Sequence, residues 1–120
     1  MAIRVFHCDD SVAFTRLVAF WLAEHPDIEH VGEARTAEAA LAALPRARPD
    51  VILLDTMGRP GDAGLLATIR EAAPDARVIV YSGYVRLMHE EALGSEADAY
   101  LEKGDDDAAL VALIREVAAR

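Results

Sequence analysis

The sequence predicts an α/β domain built around a parallel β-sheet. Short apolar runs rich in branched residues alternate with segments whose apolar residues recur every three or four positions, and each kind occurs five times. Polar residues stand where several of the apolar runs stop. The 120 residues are 53% hydrophobic, enough to bury one core without disulfides. We therefore expect one domain over residues 1–120, with right-handed crossovers between parallel strands.

The predicted strands are short, rich in β-branched residues and bounded by polar or turn residues. In order they cover residues 3–8, 28–31, 51–54, 77–81 and 98–101. Gly32 is expected to close the second strand, and the fifth is expected at an edge of the sheet.

The predicted helices follow the strands one by one. The first is capped by Ser11 or Asp10 and ends at His25-Pro26, and the second is capped by Thr36 and ends before Pro45. The third ends near residue 74, the fourth is a less regular segment around residues 85–93, and the last covers residues 106–119.

Charge and cysteine content limit the partners and the compartment. A net charge of -9 repels nucleic acid phosphate and anionic lipid, so no direct binding to nucleic acid or to a membrane is expected. Cys8, the single cysteine, lies in the first predicted strand and favours a reducing, cytoplasmic location. No apolar stretch approaches the roughly 20 residues that span a bilayer.

Three carboxylates follow two of the predicted strands. Asp9 and Asp10 come directly after the first strand, and Asp55 comes directly after the third. If these strands lie side by side, their carboxyl ends bring the three acids into one crevice, where they repel each other unless a cation lies among them. Hard oxygen ligands favour Mg²⁺. The sequence therefore predicts a magnesium site.

Two further polar residues follow the fourth and fifth strands. Ser82 and Lys103 would lie at the same edge of the sheet, where a hydroxyl and an ammonium group can hold phosphoryl oxygens. Each of the five residues alone has an ordinary explanation as a helix cap, a turn or a solvated charge. Their joint occurrence at one edge favours a phosphoryl-transfer site.

This arrangement resembles the receiver domain of two-component response regulators. The resemblance covers essentially the whole chain and rests on the acidic pair, the lone aspartate, the serine and the lysine, each after its own strand. It implies a flavodoxin-like (βα)5 three-layer sandwich, with a five-stranded parallel sheet of order 2-1-3-4-5.

The resemblance also implies roles for the acidic residues. Asp55 would be the phospho-acceptor and a metal ligand. Asp10 would bind Mg²⁺ directly, Asp9 would act largely through water, and the backbone carbonyl of Met57 would be another ligand.

By the same resemblance, Ser82 and Lys103 would bind the phosphoryl group, and Ser82 and Tyr100 would form the conformational switch. The resemblance also implies that Met57 and Tyr84, two residues after Asp55 and Ser82, would influence access of water to the phosphoryl group. Both are bulky and neither is a good base, so slow autodephosphorylation is expected.

The chain departs from the family pattern in two loops. Pro60 and Gly64 lie five and nine residues after Asp55, one residue further on than usual, which indicates an insertion beside the expected Met57 ligand. Gly104 replaces the proline that usually follows the lysine, which leaves open whether the Lys103–Gly104 peptide is trans or a strained cis bond.

The predicted function is a phosphorylation-operated switch rather than a turnover enzyme. A histidine kinase or phosphotransfer protein would phosphorylate Asp55, and an output domain or partner protein, or a phosphorylation-dependent homodimer, would respond. The chain is then a stand-alone receiver or the front of a longer DNA-binding regulator. The alternatives are a degenerate receiver that binds partners without phosphate and, in a third class, an aspartyl-phosphate phosphatase, which would need a second acid two residues after Asp55.

Overall fold

The computed structural model describes residues 2–55, 63–83, 97–104 and 107–120. The strands are β1 Ile3–Cys8, β2 Ile28–Ala34, β3 Val51–Leu54, β4 Arg77–Ser82 and β5 Ala99–Glu102. The helices are α1 Val12–Ala23, α2 Ala37–Ala47, α3 Ala63–Ala72 and α4 Asp107–Ala118. The helix predicted around residues 85–93 lies outside the described residues. Among the helices described, none combines the length and apolar character needed to cross a bilayer.

All strand pairs are parallel, and the strand order is β2-β1-β3-β4-β5. This confirms the predicted sheet order and places β5 at an edge. Because successive strand residues face opposite sides, the sheet buries two apolar clusters. One packs under α2 and α3 and includes Phe6, Cys8, Ile52, Leu54, Val78 and Val80. The other packs under α1 and α4 and includes Val5, Val51, Leu53, Ile79 and Tyr81.

The prediction that β2 ends at Gly32 is wrong, because the strand continues to Ala34. The register between β1 and β2 shifts after Val5, so that Val5 pairs with His30 and Phe6 pairs with Gly32. A Cβ atom at Gly32 would lie 3.0 Å from Cε2 of Phe6. Gly32 therefore lets the strand continue through a bulge beside an aromatic ring.

The prediction that α2 stops before Pro45 is also wrong, because the helix extends to Ala47. Proline removes one backbone donor, and here it does so in the last turn of the helix. The carbonyls at this end accept hydrogen bonds from the Arg4 guanidinium, at 2.7 Å for Ala47 and 3.2 Å for Arg48. Arg48 ends the helix in the left-handed conformation, with φ 46°.

Both predicted helix caps are present. The Ser11 hydroxyl accepts a hydrogen bond from the Phe14 N–H at 3.2 Å, and the Thr36 hydroxyl accepts one from the Ala39 N–H at 3.0 Å. The Ser11 cap fixes the start of α1 immediately after the acidic pair.

Candidate functional site

The site lies beyond the carboxyl ends of β1 and β3. Backbone hydrogen bonds continue past both strands, since the Asp55 N–H donates to the Cys8 carbonyl and the Asp9 N–H donates to the Ala34 carbonyl, each at 2.9 Å. The backbone of both acids is therefore fixed by the sheet. The order of the strands reverses at β1, so the site occupies the switch point where parallel sheets place their ligands.

The structure brings the three predicted acids together. One side-chain oxygen from each of Asp9, Asp10 and Asp55 lies within 4.8 Å of the others. Asp9 and Asp55 are buried, whereas Asp10 is exposed. Solvent therefore reaches the acidic cluster from the side of Asp10.

Lys103 bridges the two buried acids. Its Nζ lies 2.7 Å from Oδ2 of Asp9 and 3.0 Å from Oδ2 of Asp55. The backbone N–H of Lys103 donates to the Ser82 carbonyl at 3.0 Å, which attaches the lysine to the end of β4. In the described part of the chain no peptide bond is cis, so Lys103–Gly104 is trans and the lysine nevertheless reaches the acids.

The two buried acids differ in their proton affinity. Burial works against ionisation of Asp9, but His7, Lys103 and the Ser11 N–H outweigh it and lower its pKa to about 2. Burial raises the pKa of Asp55, which Lys103 and Ser82 offset only in part while the charge on Asp9 adds to the rise. Burial works against the charge on Lys103, yet Asp9 and Asp55 raise its pKa. Lys103 contacts both carboxylates, but only Asp9 has a lowered pKa, whereas the pKa of Asp55 remains raised.

Three aromatic side chains pack against the ring of Phe14: His7, Trp21 and Tyr81. The Phe14 ring lies directly under the ammonium, with Nζ 4.5 Å from the ring centroid. His7 is fully buried, and its Nε2 lies 3.5 Å from Oδ2 of Asp9. Sequence reasoning missed both contacts. The available signal was position, because Phe14 lies one helical turn after Asp10 and His7 lies two residues before Asp9 on the same strand.

Cys8 lies directly beside the acids in sequence and faces the opposite side of the sheet from His7. Burial, together with the charges of Asp9, Asp55 and Asp10, raises the pKa of its thiol to about 12. The thiol is thus a neutral core group.

The remaining predicted residues are distributed as follows. Ser82 is fully buried at the end of β4, and Tyr100 is half-buried on β5, opposite Val80, where it packs against the cluster under α2 and α3. Met57 and Tyr84 lie outside the described residues.

The residues present fit a divalent cation. The oxygen atoms of three converging carboxylates are the ligands that Mg²⁺ prefers, and exposed Asp10 leaves one side open to water, which Mg²⁺ retains in most protein sites. The low pKa of Asp9 keeps one of these ligands ionised throughout the neutral range.

The family described as response regulator receiver domain matches residues 5–115. The chain belongs to this family. The receiver domain of the putative response regulator NarL from Mycobacterium tuberculosis superposes with a TM-score of 0.79 at 28% identity, covering 98% of this chain and 96% of that one. The response regulator domain of Thermotoga maritima CheB superposes with a TM-score of 0.84 at 24% identity, covering 100% and 98% of the two chains, and supports the fold.

Two curated relatives are longer proteins. This receiver is 35% identical over 108 residues to a protein-glutamate methylesterase/protein-glutamine glutaminase from Nocardioides sp., covering 84% of this chain and 29% of that protein. It is 32% identical over 83 residues to the DNA-binding transcriptional activator DevR/DosR of Mycobacterium tuberculosis, covering 68% and 38%. The matched regions therefore span well under half of these relatives.

Proposed function

We propose that this receiver accepts a phosphoryl group on Asp55 from a histidine kinase or phosphotransfer protein and switches conformation in response. The observation that carries the proposal is the pairing of the buried Asp55 with the Lys103 ammonium at 3.0 Å, beside Asp9 and Asp10. A nucleophilic carboxylate, a neighbouring cation and two further acids supply the positioning and charge neutralisation that phosphoryl transfer requires.

In the transfer step, a carboxylate oxygen of Asp55 forms a bond to phosphorus while the bond from phosphorus to the donor nitrogen breaks. The electron pair of that bond leaves with the donor imidazole. Lys103 is already within hydrogen-bonding distance of Oδ2 of Asp55, so its ammonium can pair with an oxygen of the transferred group. The buried hydroxyl of Ser82 can donate a hydrogen bond to another.

Asp9, Asp10 and Asp55 would hold Mg²⁺, with the Met57 carbonyl as a further proposed ligand. When bound, the ion supplies positive charge that neutralises the phosphoryl oxygens. Asp9 and Asp10 would hold this charge beside Asp55, since both follow directly after β1 and their oxygens lie within 4.8 Å of an oxygen of Asp55.

For the switch we propose Ser82 and Tyr100, which lie on neighbouring strands: Tyr100 pairs with Val80, two residues before Ser82. Movement of the Ser82 hydroxyl toward the phosphoryl group would change the space into which the half-buried Tyr100 ring packs. The output would follow from surfaces near β5. Relatives that carry a methylesterase or a DNA-binding activator name suggest that such an output can be an attached effector, while a partner protein or a homodimer would serve equally.

A second candidate is a receiver that binds its partner without phosphorylation. One observation favours it: Lys103 already neutralises part of the acidic cluster and lies between the oxygens that a metal would use. Mg²⁺ affinity that is measurable and is lost in Asp10→Ala would favour the phosphorylated switch, and no binding at millimolar metal would favour this second function.

The deciding experiment is intact mass spectrometry after incubation with Mg²⁺ and a small acyl phosphate, repeated with a phosphorylated histidine kinase as donor. Asp55→Asn is the test variant. Asp50→Asn is the matched control, because Asp50 precedes the same strand at its other end. We expect one phosphoryl adduct in the wild type and in Asp50→Asn and none in Asp55→Asn. An adduct that survives in Asp55→Asn, or no adduct from either donor, contradicts the proposal.

A further inference from the structure

The Lys103 ammonium lies above the face of the Phe14 ring, with Nζ 4.5 Å from the ring centroid. We propose that Phe14 is a positioning residue, which holds Lys103 between Asp9 and Asp55 and thereby sets how readily a divalent cation gains access to their oxygens. The inference rests on the proposed function for its biological meaning, but it concerns a contact that can be tested without phosphorylation.

The Phe14 ring itself packs against three other aromatic rings. Trp21 contacts it at nearly a right angle, with centroids 6.4 Å apart, and Tyr81 lies 5.4 Å away. His7 packs edge-on at 6.1 Å. Aromatic pairs at these separations prefer such tilted arrangements, so the orientation of the ring is fixed by the core. Because the ring is held in one orientation, its electron-rich face stays directed at Nζ of Lys103.

The position of the ammonium makes this contact stronger than a surface contact. The Lys103 side chain is 21% exposed, and the Asp9 and Asp55 side chains are 0% and 8% exposed. Attraction between a cation and an aromatic face increases when water is excluded. The carboxylates attract the ammonium from one side and the ring attracts it from another, which together define one location.

A bound cation would compete with the Lys103 ammonium for the same carboxylate oxygens. Lys103 contacts Oδ2 of Asp9 at 2.7 Å and Oδ2 of Asp55 at 3.0 Å, and the same carboxylates form the candidate metal site. A weaker attraction from the ring would let the ammonium yield these oxygens more easily. Mg²⁺ affinity should therefore rise as the electron density of the Phe14 face falls.

Site-specific incorporation of mono-, di- and trifluorophenylalanine at position 14 tests this, because fluorination withdraws charge from the ring face with little change of shape. We expect Mg²⁺ affinity, measured by calorimetry, to increase stepwise to about two- to fivefold in total. The same series at Phe20, which lies on α1 but is 65% exposed, is the matched control and should show no trend. In a Lys103→Met background, the trend at position 14 should disappear.

A second readout needs no metal. Lys103 is the only lysine in the chain, so lysine labelled with ¹³C at the ε position gives one methylene signal. We expect this signal to be shifted upfield by the ring in the wild type and in Phe14→Tyr, and to return to its ordinary position in Phe14→Leu. The chemical shift of the Lys103 methylene group reports its contact with Phe14 even if no Mg²⁺ binds.

The outcomes separate the two proposals. A Mg²⁺ affinity that ignores fluorination, or a lysine signal that is the same in Phe14→Leu and the wild type, overturns the positioning role even when Asp55 is phosphorylated normally. A clear fluorination trend with no phosphorylation of Asp55 supports the positioning role and contradicts the proposed function instead.

Discussion

Aspartates lie at both ends of the β-sheet, but their surroundings differ. At the amino edge, Asp27, Asp50 and Asp98 directly precede β2, β3 and β5, and each accepts hydrogen bonds from arginine or backbone N–H groups. At the carboxyl edge, Asp9 and Asp55 share one ammonium group, and Asp10 lies beside them. The amino-edge acids are thus satisfied by the fold, whereas the carboxyl-edge acids carry more negative charge than the described protein groups neutralise.

Asp98 and Asp55 show the contrast directly. Oδ2 of Asp98 accepts hydrogen bonds from the Val78 N–H at 2.7 Å and from Arg70 at 3.1 Å, and these contacts outweigh burial and lower its pKa. Burial raises the pKa of Asp55. The same side chain therefore stabilises the protein at one end of the sheet and costs stability at the other.

The largest expected effect is at Lys103. Lys103→Met leaves Asp9 and Asp55 buried together without their shared cation, so we expect the free energy of unfolding, measured with urea in EDTA, to fall by about 3 kcal/mol. Mg²⁺ should restore more stability to this variant than to the wild type. Arg70→Met, which removes a partly exposed cation from Asp98, is the matched control and should cost less. If Lys103→Met and Arg70→Met lower the free energy of unfolding equally, the acids at the two ends of the sheet do not differ in this way.

Next come two substitutions with opposite signs. Asp98→Asn keeps the shape but weakens the bonds to Arg70 and Val78, and should lower the free energy of unfolding by roughly 1–2 kcal/mol. Asp55→Asn removes a charge that is disfavoured mainly by burial and also by Asp9, and should raise the free energy of unfolding by on the order of 1 kcal/mol in the absence of metal. Chemical denaturation at neutral pH measures both. A loss of stability in both variants would show that the two edges do not differ in this way.

The pH dependence sharpens this contrast. The pKa of Asp98 is lowered by its contacts, so its stabilisation is present above the ordinary value of 3.8 and is lost as pH falls through the folded pKa. The pKa of Asp55 is raised, mainly by burial, so its cost is absent below 3.8 and appears as pH rises through the folded pKa. The free energy of unfolding of the wild type and both variants should be measured from neutral pH down to below the ordinary pKa of 3.8. As the pH falls, the difference between Asp55→Asn and the wild type should vanish at a higher pH than the difference between Asp98→Asn and the wild type. The reverse order would contradict the assignment.

The smallest effect is expected at the exposed pair between Arg115 and Asp27, whose atoms approach to 2.8 and 3.0 Å. Arg115→Gln should reduce stability less than Asp98→Asn, and the reduction should disappear in high salt because both side chains are nearly half exposed. Thermal unfolding at low and high salt measures it. A loss that persists in high salt would mean that this pair belongs with the buried contacts.

Much of the fold could be predicted from the sequence, because β1, β3 and the helix caps carry their signals locally. Where prediction failed, the cause was distant in the chain. The extension of β2 depends on a register shift beside Phe6, and the last turn of α2 depends on Arg4. Neither contact has a signature within the segment it changes.

The same distinction holds for the site. The convergence of Asp9, Asp10, Asp55, Ser82 and Lys103 followed from their places at strand ends. The contacts of His7 and Phe14 could not be predicted, since a histidine in a strand and a phenylalanine on an amphipathic helix are ordinary core residues. Only their observed contacts, of His7 with Asp9 and of Phe14 with Lys103, distinguish them from other core residues.

The state of Cys8 has a practical consequence for any study of motion in this protein. Since its buried thiol, with a pKa of about 12, remains protonated and shielded, thiol-directed dyes and spin labels should pass it by in the folded chain. A cysteine introduced on the surface, for example near β5, would then be the one reactive thiol. Distance changes on activation could be followed optically in a protein whose native cysteine has been left in place.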